Sequence, residues 1–186
     1  MLILIGPSAS GKTEIVKLLI KQYSMEKLVT YTSRPMRVGE IMDKDYHFIS
    51  KSSFEEKIKH NFFFEYVEYN NNYYGTAVED LTDNKVVILE KNGLQHYIDK
   101  VRDQITIVFL KCEEEVLKER MIKRGDQMEI ILKRLEGDKT KFDSSIEQLA
   151  DLVLDTSYSN TKSASCSIEE SNFVLSPSRR LRIISI

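Results

Sequence analysis

Three sets of residues in this chain have the types and spacing to handle phosphate. The first is Gly6-Pro7-Ser8-Ala9-Ser10-Gly11-Lys12-Thr13, which fits the pattern G-x-x-x-x-G-K-[ST]. Glycines let backbone N–H groups turn inward around a polyphosphate, and the N-terminus of a following helix adds partial positive charge. Lys12 would reach the outer phosphates and the Thr13 hydroxyl would ligate magnesium. The second set is Arg34 and Arg37, on a stretch broken by Pro35 and Gly39. Two guanidinium forks can take a phosphate dianion through short charge-assisted bonds. Tyr46 and Tyr74 could add hydroxyls, although a tyrosine taken singly more often only packs. The third set, Arg120, Lys123, Arg124, Lys133 and Arg134, lies in a charged helical stretch. Spacing alone suits a solvated mixed-charge face and a closing lid equally.

Glu65 is the residue that speaks to specificity. It falls within the aromatic run Phe62-Phe63-Phe64-Glu65-Tyr66-Val67-Glu68-Tyr69, where a carboxylate needs partners to offset its desolvation. The polar turn Asn70-Asn71-Asn72 predicts a hairpin that returns Tyr74 and Thr76 to its side. Guanine offers adjacent donors that one carboxylate can accept, whereas adenine presents an acceptor there.

These residues need rigid elements to position them. Leu2 to Ile5 is an unbroken aliphatic run ending at a glycine, as expected of a strand buried on both faces. Apolar residues at Ile15, Val16, Leu18, Leu19 and Ile20 predict a helix from the loop to about Tyr23. Further strands are expected at 28–32, 45–49, 62–69, 73–76, 86–89, 105–110 and 152–154. Helices are expected at 52–58, with a capping serine, at 94–101, at 113–123 and from Met128 into Phe142. Strands alternating with helices after a phosphate loop imply an α/β fold with a parallel sheet covered on both faces. Within it, 31–77 reads as a β-rich insertion. The serine-rich 157–178 lacks helical periodicity and reads as a loosely packed tail, with the final apolar run 181–186 a candidate edge strand.

The 186 residues carry 27 basic and 29 acidic side chains, for a net charge of −2, and nothing in this balance suggests a basic nucleic-acid groove. Positive charge for a polyphosphate must therefore be local. Cys112 and Cys166 have neither metal-ligand spacing nor a secretory context. The first strand begins at Leu2, leaving no targeting signal ahead of the loop, and no apolar stretch approaches the ~20 residues needed to span a bilayer. A cytoplasmic protein without a membrane partner, acting as a monomer or homodimer, is expected.

The motifs GPSASGKT, TSRPMRVGE, KDYHF and FFEYVEYNNNYYGT, with the Arg-Gly and Arg-Leu pairs of 120–135, resemble those of the guanylate kinase family. The resemblance covers roughly Leu2 to Asp155. It implies a P-loop three-layer sandwich with a parallel core sheet (1–30, 78–112 and 143–158), a small β-rich GMP-binding region (31–77) and a helical lid (113–142), leaving the tail 159–186 unassigned. It also implies transfer of the γ-phosphoryl group of ATP to GMP, with Mg2+ as cofactor and ATP as co-substrate. Residues 6–13, from Gly6 through Pro7, Ser8, Ala9, Ser10 and Gly11 to Lys12 and Thr13, then correspond to the ATP loop. Thr30, Arg34, Arg37, Tyr46 and Tyr74 correspond to ligands at and near the GMP phosphate, Glu65 and Thr76 to the guanine readers, and Arg120, Arg124 and Arg134 to lid and catalytic arginines.

The chain departs from the family pattern at three places. Where the family usually closes a strand with Asp-x-Asp, this chain has Glu90-Lys91-Asn92, placing Glu90 with Thr13 at the metal and Asn92 in the GMP site. The lid between Arg124 and Arg134 is a residue short, and Asp155 stands where the family often has asparagine. A catalyst slower than its relatives is expected. Phosphoryl transfer by positioning and electrostatics needs no general base, so His47, His60 and His96 receive no catalytic role. Two rivals are a kinase of the same architecture acting on a phosphorylated sugar and a noncatalytic binding module. Glu65 with Thr76 argues against the first, and the intact Gly11-Lys12-Thr13 against the second.

Overall fold

The structure, a computed structural model, describes residues 1–157 except positions 38, 70 and 90, together with 182–185; of 69, 92 and 182–185 it describes the backbone. Strand β1 (Leu2–Ile5) is buried along its whole length. Its alternation divides the core. Leu2 and Leu4 pack with Ile15, Val16 and Leu19 of helix α1 (Lys12–Tyr23). Ile3 and Ile5 pack on the other face with Leu94 and Tyr97 of α3 (Lys91–Val101) and Ile146 of α6 (Ser144–Leu149). A strand apolar at every position is thus covered by helices on both sides, and each fully buried Ile or Leu contributes roughly 1.5–3 kcal/mol.

The remaining elements are β2 (Glu26–Lys27), β3 (Tyr31–Thr32), β4 (His47–Phe48), α2 (Lys51–Lys59), β5 (Phe63–Tyr69), β6 (Asn72–Ala77), β7 (Lys85–Ile88), β8 (Thr106–Lys111), α4 (Glu114–Lys123), α5 (Met128–Lys141), β9 (Leu152–Asp155) and β10 (Arg182–Ser185). The core sheet runs β10-β9-β8-β1-β7-β2 with every pairing parallel. The terminal apolar run does supply an edge strand, β10, beside β9. Of the expected strand over 28–32 only Tyr31–Thr32 is one, and a separate short strand, β2, precedes the stretch in the other sheet. β2 closes the core sheet beside β7, and β3 opens a second sheet, so Leu28 to Thr30 is the crossing between them.

That second sheet, ordered β4-β3-β6-β5, is mixed: β3 pairs parallel with β4 and antiparallel with β6. Helix α2 packs on it through Phe54, fully buried and stacked on Phe63 at 4.2 Å and Tyr73 at 5.2 Å. Ser50, two residues ahead of the serine pair expected to cap this helix, accepts from the Ser53 N–H at 3.1 Å. Helices α4 and α5 share a separate small core of Leu117, Met121, Ile131 and Leu135. No helix among the described residues is long and apolar enough to cross a membrane.

Candidate active site

The phosphate loop joins β1 to α1 along a path only small residues can follow. At Gly6 a Cβ would lie 2.6 Å from the Leu110 carbonyl oxygen, so a side chain would push the loop off β8. Gly11, at the N-terminus of α1, has φ +96°, and Ala9 holds the left-handed region at φ +63°. The Lys12 ammonium folds back over the loop, donating to the carbonyls of Gly6 at 2.7 Å and Pro7 at 2.6 Å. Ser10 is fully buried, and its carbonyl accepts from the Thr156 hydroxyl at 3.1 Å. Thr13 stands exposed in the first turn of α1.

Two groups from the α4–α5 pair touch this loop. Arg120 donates to the Ala9 carbonyl at 3.3 Å and the Thr156 carbonyl at 2.6 Å, joining the loop to the end of β9. Asp138 of α5 accepts from the Ser8 N–H at 2.6 Å, so a carboxylate already sits on the anion-binding loop. Pro7, Cys112, Leu117, Leu135 and Asp138 line a concavity beside it. Arg124 and Arg134 are turned elsewhere. Both bond Asp126, Arg124 through Nε at 3.0 Å and a second short contact, Arg134 through Nη1 at 2.8 Å. The hydrogen bond from Arg124 holds the Asp126 carboxyl below its usual range.

On the second sheet, Arg34 lies over the rings of Tyr46 and Phe48 at 5.5 and 5.6 Å. Its guanidinium bonds Glu40 Oε1 at 2.7 Å while the Arg37 N–H bonds Glu40 Oε2, also at 2.7 Å. One carboxylate therefore joins the Arg34 guanidinium to the backbone of Arg37, and its bond raises the Arg34 pKa above the ordinary value. Tyr46 and Tyr74 meet edge to face at 6.2 Å. Thr30, Glu40 and Tyr46 line one concavity against Val86 and Val87 of β7.

Glu65 and Thr76 are cross-strand partners on β5 and β6. The Thr76 hydroxyl donates to Glu65 Oε1 at 2.8 Å and accepts from the Tyr97 hydroxyl at 2.9 Å. Burial pushes the Glu65 carboxyl above its usual range, opposed by the Thr76 bond and by the charges of His96 and Lys100. Gly75 fits where a Cβ would stand 3.0 Å from the Glu65 carbonyl oxygen.

The matching family model, described as guanylate kinase, spans residues 1–164. Guanylate kinases of Clostridium tetani and Lactiplantibacillus plantarum are similar to this chain. The first is 37% identical over 155 residues, 80% of this chain and 72% of that protein, and the second 38% identical over 148 residues, 73% and 70%. The chain belongs to the guanylate kinase family. The crystal structure of guanylate kinase from Anaplasma phagocytophilum shares the fold at a TM-score of 0.67 and 20% identity, covering 95% of this chain and 87% of that one.

Guanylate kinases use ATP and Mg2+, and the donor set suits a metal carried mainly by its nucleotide. Among the described residues no group of three or more His, Cys, Asp or Glu could hold an ion. Mg2+ bound with a triphosphate needs only one or two protein oxygens, which an exposed Thr13 hydroxyl beside Lys12 can begin to supply. Glu90 lies outside the described residues, and Asn92 lies on the first turn of α3. Asp138, Thr156, Glu40 and Tyr97 join the residues expected from the sequence. Asp138, Thr156 and Tyr97 carry no spacing signal, and Asp138 and Thr156 meet the loop from 130 and 146 residues away. Glu40 does carry one: it closes the same TSRPMRVGE segment as the two arginines.

Proposed function

We propose that the protein transfers the γ-phosphoryl group of ATP to GMP, giving ADP and GDP, with the phosphate loop as donor site and the second sheet as acceptor site. The observation that carries this reading is the Thr76–Glu65 pair, on the sheet whose strand β3 leads into Arg34, in a chain with an intact phosphate loop. Residues Gly6 to Thr13 bind the ATP phosphates, and Lys12 leaves the Gly6 and Pro7 carbonyls to follow the transferred group. Mg2+, held by Thr13 and Glu90, would neutralise charge on the donor phosphates. Arg34 and Arg37 exchange Glu40 for the GMP phosphate, with Thr30, Tyr46 and Tyr74 around it. Glu65 and Thr76 read guanine, with Asn92 at the same site.

Arg120, already bonded to the loop, stabilises charge spreading over the phosphoryl group, and Arg124 and Arg134 join it after leaving Asp126. The division into core, acceptor region 31–77 and lid 113–142 follows these roles, and a cytoplasmic location agrees with the substrates. A coupled assay of ADP release across GMP, AMP, CMP, UMP and phosphosugars tests the reading. Transfer to GMP above the others is expected. GMP binding with no transfer would favour a binding module, and preference for a phosphosugar would overturn the guanine assignment.

A further inference from the structure

Strand β5 is irregular where it reaches the base-reading pair. Phe63 stands opposite Ala77 and Glu65 opposite Thr76, leaving Phe64 as the extra residue of a bulge. A bulge breaks the strict alternation of side chains and re-aims them. Here neighbours Phe64 and Glu65 both connect to the same residue of α3. The Phe64 ring lies 4.9 Å from the Tyr97 ring, and Glu65 reaches the Tyr97 hydroxyl through Thr76. Lys100, one turn further along α3, fixes the bulge by donating to the Phe64 carbonyl at 2.6 Å.

The chain Tyr97–Thr76–Glu65 has only one consistent direction. An ionised carboxylate accepts and cannot donate, so the proton between Thr76 and Glu65 belongs to Thr76. A hydroxyl has one proton, so the proton between Tyr97 and Thr76 belongs to Tyr97. Tyr97 and Thr76 are both fully buried, so water cannot substitute for either bond. The Thr76 hydroxyl, fully buried, then acts through Glu65, whose carboxylate meets the base as an acceptor.

We propose that Tyr97 is a specificity-determining positioning residue, whose buried hydroxyl fixes Thr76 and, through it, orients the Glu65 carboxylate as the acceptor of the base. The proposal rests on the assignment of GMP as acceptor. A base edge carrying two adjacent donors, the ring N–H and the exocyclic amine, gains most from this arrangement. Hypoxanthine keeps the ring N–H but lacks the amine, so IMP gains less than GMP.

Steady-state kinetics with GMP and IMP, at saturating ATP and Mg2+, test it in the wild type and Tyr97→Phe, with a melting curve for each. Expected is a rise of about tenfold in KM for GMP with kcat within about twofold, and a smaller rise for IMP, so that the GMP-to-IMP ratio of kcat/KM falls. Unchanged GMP kinetics, an equal loss for both substrates, or a loss confined to kcat would overturn it. If Tyr97→Phe does not fold, 3-fluorotyrosine placed at position 97 keeps the ring and strengthens the donor. It should lower KM for GMP more than for IMP, and no difference would overturn the proposal. A wild-type protein that transfers nothing to GMP overturns the acceptor assignment and this proposal together, whereas GMP transfer with an unaffected Tyr97→Phe overturns this proposal alone.

Discussion

The second sheet and the α4–α5 pair both carry polar side chains that we assign to the nucleotides, and they hold them differently. Glu65 and Thr76 of the second sheet form a relay with Tyr97 of α3, whose ring packs on Phe64. In the lid, Arg124 and Arg134 are committed to Asp126 of the intervening turn, and their helices share only a four-residue core. On the proposed function, the base-reading side is already paired before anything binds, whereas the lid arginines would have to change partners before acting on a transferring group. This division suits phosphoryl transfer, where the base is read in the ground state and the arginines matter as charge redistributes.

The strongest test of the contrast is Lys12→Ala. If Lys12 acts on the transferring group as proposed, kcat should fall about a hundred- to thousandfold while the melting temperature and GMP affinity stay near wild type. A comparable loss of GMP affinity would mean that the two sites are not separable.

Glu65→Gln comes next, because an amide accepts through one atom and presents N–H donors of its own. The expected outcome is a loss of about ten- to a hundredfold in kcat/KM for GMP, carried by KM, with weaker discrimination against AMP. A change confined to kcat would place Glu65 outside the base site.

The same carboxylate gives a pH dependence. Burial raises its pKa, with Thr76, His96 and Lys100 the groups that oppose the shift. Only the ionised form accepts both guanine donors. KM for GMP should therefore rise as pH falls, beginning above the ordinary carboxylate range, and the effect should vanish in Glu65→Gln. Stability moves the other way. A carboxyl whose folded pKa is raised contributes fully to stability below its unfolded pKa, and this contribution is lost as pH rises from that value through the folded pKa. Urea titrations across that window in the wild type and Glu65→Gln measure the difference.

The smallest effect belongs to the lid. Asp126→Asn removes the carboxylate that holds Arg124 and Arg134. Because the pair is at the surface, folding should be little changed. Turnover should rise a few-fold if releasing these cations is part of closure, and an unchanged kcat would sever Arg124 and Arg134 from the chemistry.

Much of this arrangement was legible in the sequence wherever function required a local pattern. The phosphate loop announced itself through glycine spacing between an aliphatic strand and an amphipathic helix, and the Glu65–Thr76 pairing followed from an asparagine-rich turn. The stretch 28–32 misled because strand-forming residues mark extended backbone without saying which sheet receives it. Tyr97 was hidden for a related reason. In the sequence it is one apolar-face position of α3, and only the bulge at Phe64, set by pairing across a hairpin, brings a polar partner to its hydroxyl. The Arg124 and Arg134 pairing with Asp126 was hidden too, since a charged helix reads alike whether its cations face solvent, each other's counterion or a ligand.

Asp138 gives the loop a property beyond geometry. Its carboxylate, carried on α5, already accepts from the Ser8 N–H. An anion that takes this N–H must first displace a carboxylate of the same molecule, and the cost of that exchange lowers the apparent affinity of any ligand that uses it.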